Sequence, residues 1–222
     1  GSLEAYAAAK RSLFAWPGLR AVVTNLADPL GRQIAETAQP GVVVAGYGAQ
    51  VDGLPQTAQY LGWTELQFTR AGVSGRWVGS WGKASFALPL LGGFAVENVA
   101  AALSALLVQG LPFAELVAAA GQLSGVPGRM EPIVVTGAPL VVVDYAHTPD
   151  ALGSALGALR AHTGARLIAV FGCGGDRDRG KRPQMGAIAA QQADVVYLTS
   201  DNPRSEQPEQ ILDDIADGIA AT

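Results

Sequence analysis

The second half of the chain alternates short apolar runs with helical segments, and this alternation restricts the folds that it can adopt. The apolar runs lie at 140–145, 166–171 and 195–199, and the helical segments lie at 149–161, 182–192 and 208–220. A chain that repeats strand and helix in this order typically forms a parallel sheet with helices packed on it. We therefore predict a Rossmann-like, doubly wound α/β domain for this half.

The first half has a different pattern. Alternating apolar residues between 63 and 88, interrupted by Ala71-Gly72 and Trp81-Gly82, predict antiparallel hairpins. Helical spacing is present at 3–14, 96–108 and 113–120, and short apolar runs are present at 21–25 and 41–46. We expect an α/β domain with antiparallel hairpins over 1–126 and, after a linker around Gly125-Val126-Pro127-Gly128, a second domain over 127–222.

Composition limits the classes of protein and partner. Of 222 residues, 49% are hydrophobic and 15% are charged, so a sizeable core is available. The net charge of −4 argues against nucleic-acid and anionic-membrane partners. The single cysteine excludes an intrachain disulfide, no signal-peptide pattern opens the chain, and the most apolar helix is too short to span a bilayer. We expect a soluble, cytoplasmic protein.

A polar loop follows each predicted strand of the second half. These loops are DYAHTPD at 144–150, GCGGDRDRGKR at 172–182 and DNPR at 201–204. The carboxyl ends of parallel strands lie at one edge of a sheet, where ligands bind in open α/β folds. Taken singly, each loop also fits an ordinary turn or helix cap. Together they predict a shared ligand site, in which the guanidinium of Arg204 suits a substrate carboxylate.

The glycine loop allows two further interpretations. Residues 175–181 match G-x-x-x-x-G-K, but Arg182 replaces the Ser or Thr of a P-loop and the intervening residues are mostly charged, so we do not favour a P-loop. The loop also does not match the G-x-G-x-x-G pattern, so the sequence does not support a dinucleotide-binding fingerprint. Cys173 could be a nucleophile activated by His147, although a cysteine in a glycine loop is more often passive.

Three residues outside these loops have both a structural and a functional interpretation. Lys10 fits a surface lysine on a helix, Asn98 fits a helix N-cap, and Arg129 fits a tether between two domains. Residue chemistry alone does not choose between these roles and ligand binding.

A set of short motifs resembles the Mur ligases, and among them the ligases that add meso-diaminopimelate. In chain order the motifs are YAAAK at 6–10, GRME at 128–131, DYAHTPD at 144–150, FGCGGDRD at 171–178, GKRP at 180–183 and DNPR at 201–204. The resemblance covers essentially the whole chain, and the set is highly specific as a whole.

The resemblance implies an ATP-dependent amide ligase of peptidoglycan synthesis. ATP and Mg²⁺ would be its cofactors, and UDP-N-acetylmuramoyl-L-alanyl-D-glutamate and meso-diaminopimelate its substrates. ATP would phosphorylate a carboxylate of the nucleotide precursor, and the amine of diaminopimelate would attack the acyl phosphate. Fixed cations and magnesium would offset the charge on the transferring phosphoryl group.

The resemblance also implies roles for individual residues. Lys10 matches a carbamylated lysine that supports magnesium, and His147 is counted among the catalytic residues. Asn98 matches an adenine contact, and Arg129 and Asp144 match contacts to the ATP ribose and phosphates. The amino-acid site would comprise Arg182, Asp201, Asn202, Pro203 and Arg204. Arg204 would bind the distal carboxylate, which lysine lacks.

The sequence departs from the family pattern in several places. Ala95 stands where the family usually has an asparagine, which affects one adenine contact. The family's phosphate-binding loop and uridine-nucleotide domain are expected upstream of residue 1, and its Gly-Lys-Gly-His-Glu segment downstream of Thr222. We therefore expect an internal piece that is inactive alone. The alternatives are another ligase of the superfamily, such as the folylpolyglutamate type, or a non-catalytic α/β nucleotide-binding module.

Overall fold

The computed structural model describes residues 2–49 and 58–222, and these divide into two compact units. The first unit comprises the described residues up to Gln67 together with Gly72–Ser124. The second unit comprises Phe68–Ala71 and Gly125–Thr222. Each unit has its own strands and its own buried core.

The first unit is built on a five-stranded sheet with the order β1-β2-β3-β4-β5. β1, β2 and β3 are parallel, and β4 pairs antiparallel with β5. The elements are α1 Leu3–Phe14, β1 Ala21–Asn25, α2 Pro29–Glu36, β2 Val43–Ala49, β3 Gln59–Thr69, β4 Gly72–Gly79, β5 Gly82–Leu88, α3 Gly93–Leu107 and α4 Phe113–Ala120. The predicted hairpin across Trp81-Gly82 is confirmed as β4–β5.

Local sequence explains where the helices of this unit begin. The Ser2 hydroxyl accepts a hydrogen bond from the Ala5 amide at the start of α1, and the Asp28 carboxylate accepts one from the Leu30 amide at the start of α2. α3 begins at Gly93, three residues before the predicted start, because Gly92 has a φ of +89° that breaks the preceding chain. Asn98 therefore lies inside α3, and its interpretation as an N-cap is wrong.

The second unit contains two short ladders and three helices. Its elements are β6 Glu131–Ile133, β7 Val141–Val143, α5 Pro149–His162, β8 Ile168–Phe171, α6 Lys181–Gln192, β9 Val195–Leu198 and α7 Pro208–Ala220. β8 and β9 are parallel, whereas β7 pairs antiparallel with β6. The α/β class is confirmed, but the prediction of one parallel sheet is wrong for β7. Its partner β6 was not predicted, because Pro132 makes that segment a poor strand by sequence.

The helices of the second unit form its core with the strands. Leu156 from α5, Met185 from α6 and Ile215 from α7 pack in one buried cluster with Ala169 of β8. Other apolar side chains of the strands stay exposed, including Val170 at 65% and Tyr197 at 59%. Among the described residues, no helix is long and apolar enough to cross a bilayer.

Two glycines allow α6 and α7 to approach closely. A Cβ at Gly218 would overlap the carbonyl oxygen of Pro183, and a Cβ at Gly186 would overlap that of Ile215. Both obstacles are backbone atoms, which cannot move aside as a flexible side chain can. The start of α6 is therefore held at a fixed distance from α7.

We expect Gly218→Ala to lower the free energy of unfolding by about 1–3 kcal/mol, because the added methyl forces packed backbones apart. Gly157→Ala on α5 is the matched control, since its Cβ would meet the Gln192 side chain at an ordinary 3.7 Å. The control should raise the free energy of unfolding by about 0.4–1 kcal/mol. Urea unfolding followed by far-UV circular dichroism measures both, and effects of equal sign would contradict the packing argument.

Candidate functional site

The three polar loops of the second unit surround one open pocket of about 630 Å³. It is lined by residues from every loop, namely Asp144, Tyr145, Ala146, His147, Gly174, Arg177, Lys181, Asp201, Asn202 and Arg204. The predicted meeting of the loops is confirmed, although β7 and β8 are not in one parallel ladder. The lining combines three cationic side chains with several oxygen acceptors, so the pocket can bind a ligand that carries both signs of charge.

The third loop is joined to the glycine loop by its backbone. The Gly175 amide donates to the Asn202 carbonyl at 2.9 Å. A Cβ at Gly175 would overlap the Pro203 carbonyl oxygen, and one at Gly172 would overlap that of Thr199. The glycines of this loop therefore permit contact between two loops.

Arg204 lies at the pocket in an unusual backbone conformation. Its φ is +51°, and its Nη1 donates to the Gly175 carbonyl at 3.2 Å. Asp201 and Asn202 line the same pocket beside it, and Pro203 supplies the carbonyl that faces Gly175. Thus three of the four residues of the DNPR segment line the pocket, and the fourth fixes the loop.

Arg182 has a different environment from the one expected for a substrate-binding residue. Its side chain is completely buried and is absent from the pocket lining. Its Nη2 pairs with Glu206 Oε1 at 2.8 Å, and its Nη1 pairs with Asp214 Oδ2 at 2.8 Å. Hydrogen bonding to Glu206 raises the pKa of Arg182 above its ordinary value. In this structure Arg177 lies at the pocket instead.

Glu206 was not singled out from the sequence, yet its carboxylate accepts five hydrogen bonds. Donors are Arg182 Nη1 and Nη2 at 3.0 and 2.8 Å, Arg179 Nε and Nη2 at 3.1 and 2.6 Å, and the Asp176 amide at 2.6 Å. These bonds, those from Arg182 first, lower the pKa of Glu206 to about 2. The sequence did contain one signal for this contact. An acidic residue follows the third loop and a basic run lies in the glycine loop, and both loops were expected at the same edge of the sheet.

A second group of polar side chains includes the start of the first loop. It consists of Asp144 and Tyr145 of that loop and of Arg129 beside it. Asp144 Oδ2 accepts a hydrogen bond from the Met130 amide at 2.9 Å, which ties the linker to this loop. The Arg129 guanidinium lies 5.0 Å from the centre of the Tyr145 ring, which is 67% exposed. A cation, a carboxylate and an open aromatic face are groups that suit the phosphates, ribose hydroxyls and base of a nucleotide.

Lys181 and His147 link the first loop to the glycine loop. Lys181 Nζ donates to the His147 carbonyl at 2.8 Å, and His147 Nδ1 lies 3.1 Å from the Tyr145 carbonyl. A carbonyl only accepts, so Nδ1 carries the hydrogen when this bond forms, and Nε2 is then free to accept a proton.

Cys173 is not placed as a nucleophile. It is only 4% exposed, and its Sγ lies 3.7 Å from Met185 Sδ. Burial raises the pKa of the thiol, which disfavours the reactive thiolate. The passive interpretation of this cysteine is the one that the structure favours.

Lys10 and Asn98 belong to the first unit, where both are exposed, on α1 and α3. Lys10 Nζ lies 4.7 Å from the centre of the Tyr6 ring, and hydrogen bonding to Tyr6 raises the pKa of Lys10. Ala95 of the same helix α3 is buried. Among residues 2–49 and 58–222, no group of three or more His, Cys, Asp or Glu side chains could hold a metal ion. The adenine and magnesium roles stay predictions.

Comparison with known protein families gives two matches that together span most of the chain. A model described as Mur ligase middle domain matches residues 1–106, and one described as Mur ligase, glutamate ligase domain, matches residues 128–222.

Individual relatives agree with the family matches. The chain is 48% identical over 221 residues to the UDP-N-acetylmuramoyl-L-alanyl-D-glutamate--2,6-diaminopimelate ligase of Pseudomonas aeruginosa, and 50% identical over 230 residues to that of a Synechococcus species. These alignments cover 100% and 99% of the chain but only 44% of each relative.

Solved structures show the same relationship. A solved ligase of that same name has 43% identity and a TM-score of 0.68, and the match covers 98% of the chain and 44% of that structure. Mycobacterium tuberculosis folylpolyglutamate synthase complexed with ADP has a TM-score of 0.64 at 21% identity, over 89% of the chain and 43% of that structure. At that identity, the second match shows the fold alone.

The stability of the second unit should depend on pH through Glu206. Its folded-state pKa of about 2 is below its ordinary value of 4.5. Its ion pairs therefore contribute stability that is complete well above pH 4.5 and is lost as the pH falls toward 2. We expect the difference in free energy of unfolding between the unmodified chain and Glu206→Gln to be constant from about pH 8 to 6 and to shrink from about pH 5 to 3.

Urea unfolding at each pH, followed by far-UV circular dichroism, measures this difference. Asp213→Asn is the control, because Asp213 is an exposed carboxylate on α7. A difference for Glu206→Gln that grows as the pH falls would contradict the assigned pKa direction.

Proposed function

The chain belongs to the Mur ligase family, and on that premise we propose that it is part of an ATP-dependent ligase that adds meso-diaminopimelate to UDP-N-acetylmuramoyl-L-alanyl-D-glutamate. Relatives that are 44–50% identical over nearly the whole chain are named as ligases of 2,6-diaminopimelate. The chain spans about 44% of their length, so the complete reaction needs further residues. Residues 1–126 would form the latter part of the central domain and 127–222 the first part of the C-terminal domain.

The charge pattern of the pocket carries this proposal. One end of meso-diaminopimelate is an amino-acid zwitterion, with an ammonium and a carboxylate on one carbon. Arg177 and Arg204 supply guanidinium groups for the carboxylate, and Asp201 and Asn202 supply oxygens for the ammonium. Arg182 is the less suitable carboxylate ligand, because its Nη atoms are already hydrogen-bonded to Glu206 and Asp214.

The same pattern would discriminate against lysine. Lysine has the distal ammonium but lacks the distal carboxylate, so it would leave Arg204 and Arg177 without their anionic partner. A site whose charged donors lose their partner rejects the analogue more strongly than a site that merely loses an apolar contact.

The residues beside the first loop fit the nucleotide that this reaction consumes. Arg129 would contact a phosphate, and Asp144 would use its second carboxylate oxygen for a ribose hydroxyl. Asn98 is the proposed adenine contact. ATP supplies the phosphoryl group that activates the precursor carboxylate. Lys10, as a carbamate, would be one ligand of Mg²⁺, and we draw no step through that metal.

His147 is the proposed proton acceptor for amide formation. The attacking amine must lose a proton as it bonds to the carbonyl carbon of the acyl phosphate, from which phosphate leaves. His147 lines the pocket, and the bond from its Nδ1 to the Tyr145 carbonyl leaves Nε2 as the acceptor. Lys181 holds the backbone of His147 in place by donating to its carbonyl oxygen.

Phosphate release by the complete protein that the gene encodes tests the proposal. With ATP and UDP-N-acetylmuramoyl-L-alanyl-D-glutamate, we expect kcat/KM for meso-diaminopimelate to exceed that for lysine by at least about 100-fold. We expect Arg204→Ala to raise the KM for meso-diaminopimelate by about 10- to 100-fold, because one charge-assisted contact is lost. Arg166→Ala, an exposed arginine outside the pocket, is the control.

Equal use of lysine and meso-diaminopimelate would overturn the role of Arg204. Ligation of glutamate to a folate by the complete protein would favour the folylpolyglutamate-type alternative. Absence of any nucleotide-dependent turnover in the complete protein would favour the non-catalytic module.

Arg177 and Arg182 should respond differently to substitution. Arg177→Ala should raise the KM for meso-diaminopimelate by roughly tenfold and leave the melting temperature nearly unchanged, because Arg177 is exposed at the pocket. Arg182→Met should lower the melting temperature by about 5 °C or more, because it leaves two carboxylates without their shared cation. Steady-state kinetics of the complete protein measure the KM, and thermal unfolding of this chain measures the melting temperature. A raised KM for Arg182→Met with an unchanged melting temperature would restore Arg182 to the amino-acid site.

A further inference from the structure

We propose that Glu206 is a positioning residue that sets the carboxylate specificity of the pocket by holding Arg204 in its left-handed conformation. This inference rests on the proposed function, because the carboxylate in question is the distal one of meso-diaminopimelate. Glu206 is not among the residues that line the pocket, so it acts through residues that do.

Glu206 joins three segments that would otherwise move independently. Its Oε1 accepts from the Asp176 amide on the glycine loop, and both of its oxygens accept from Arg182 on the first turn of α6. Its own amide donates to the Pro203 carbonyl at 3.0 Å, which closes the turn that contains Arg204. The carboxylate therefore anchors this turn to the glycine loop and to α6.

The glycine loop also makes hydrogen bonds directly to the turn that contains Arg204. Asp176 Oδ1 accepts from the Ser205 hydroxyl at 2.7 Å, and Arg204 Nη1 donates to the Gly175 carbonyl at 3.2 Å. The Asp176 amide donates to Glu206, and the Asp176 carboxylate accepts from Ser205. Each of the two loops therefore both donates a hydrogen bond to the other and accepts one from it.

Each of the two bonded segments, the glycine loop and the turn, holds one residue with a positive φ. Asp176 has a φ of +53° and Arg204 a φ of +51°, in the left-handed region that residues with a Cβ seldom occupy. Such conformations persist only where surrounding contacts determine them more strongly than local preference. The contacts here are those of Glu206 and Ser205. Without them the turn can relax to negative φ, and the Arg204 guanidinium would then leave the pocket.

Burial gives Glu206 the stiffness that this role needs. Its side chain is 12% exposed, and the guanidinium that it binds is fully buried. Arg182 also pairs with Asp214 on α7. The guanidinium that binds Glu206 is therefore attached to the helices of the core and not to another loop. The turn carrying Arg204 is therefore fixed relative to α6 and α7.

Kinetics of Glu206→Gln in the complete protein test the proposal. We expect the KM for meso-diaminopimelate to rise about tenfold or more, and the preference for meso-diaminopimelate over lysine to fall by a similar factor. The KM values for ATP and for UDP-N-acetylmuramoyl-L-alanyl-D-glutamate should stay within about twofold, because a positioning role concerns the amino-acid subsite alone. A general loss of folded enzyme would lower the apparent kcat and leave the preference unchanged.

Ser205→Ala is the second variant, because it removes the hydroxyl bond to Asp176 Oδ1 and keeps both the longer bond from the residue-205 amide to Asp176 Oδ2 and the buried pair. We expect it to raise the KM for meso-diaminopimelate by about threefold. Asp213→Asn, which changes an exposed carboxylate on α7, should match the unmodified enzyme. If Glu206→Gln yields no folded protein, Ser205→Ala decides the question alone, and an unchanged KM in that variant overturns the proposal.

The unmodified enzyme separates this inference from the proposed function. If it makes no product with meso-diaminopimelate, the proposed function fails. If it does, and Glu206→Gln keeps both the KM and the preference over lysine, the positioning role alone is overturned.

Discussion

The candidate site depends on one buried ion pair, between the guanidinium of Arg182 and the carboxylate of Glu206. A cation with no exposed surface is tolerated only when opposite charge lies beside it, and here Glu206 and Asp214 supply that charge and accept hydrogen bonds from both Nη atoms. The pair connects the start of α6 to the loop that follows β9, while Asp214 connects it to α7. The pair thus lies at the end of the glycine loop and directly after the third loop, and both of these loops contribute residues to the pocket.

The basic run of the glycine loop is divided between two tasks by its partners. Arg179 and Arg182 both bind Glu206, and Arg182 also binds Asp214, so the two carboxylates largely neutralise the two guanidinium charges within the protein. Arg177 and Lys181 line the pocket together with Arg204. A ligand therefore meets a local positive potential even though the chain as a whole has a net charge of −4.

Much of the fold could be predicted from the sequence, because local signals mark it. α1, β1, α4 and α7 have the expected bounds, and Pro29, Pro149 and Pro208 stand at the first helical position, where proline is favoured. The three loops were expected at one ligand site, and they surround one pocket.

Other features could not be predicted, because they depend on long-range partners. Arg182 and Glu206 are 24 positions apart, and the conformation that joins them includes a positive φ at Asp176 and at Arg204, of which an arginine gives no sequence signal. β6 contains a proline and was missed for the same reason: its pairing with β7 is set by tertiary context. Asn98 resembled a helix cap because the helix start at Gly93 depends on Gly92 and not on a polar side chain.

The backbone contact between Gly175 and Pro203 has a consequence for how such a pocket changes its ligand during evolution. Because this contact involves only main-chain atoms, the side chain at position 204 can be replaced without loss of that contact. Asn and Asp adopt positive φ more readily than other residues with a Cβ, so among such residues they are the exchanges that the backbone tolerates best. The same scaffold could thus acquire a new ligand preference through a single codon, while the neighbouring Arg129, Asp144 and Tyr145 stay as they are.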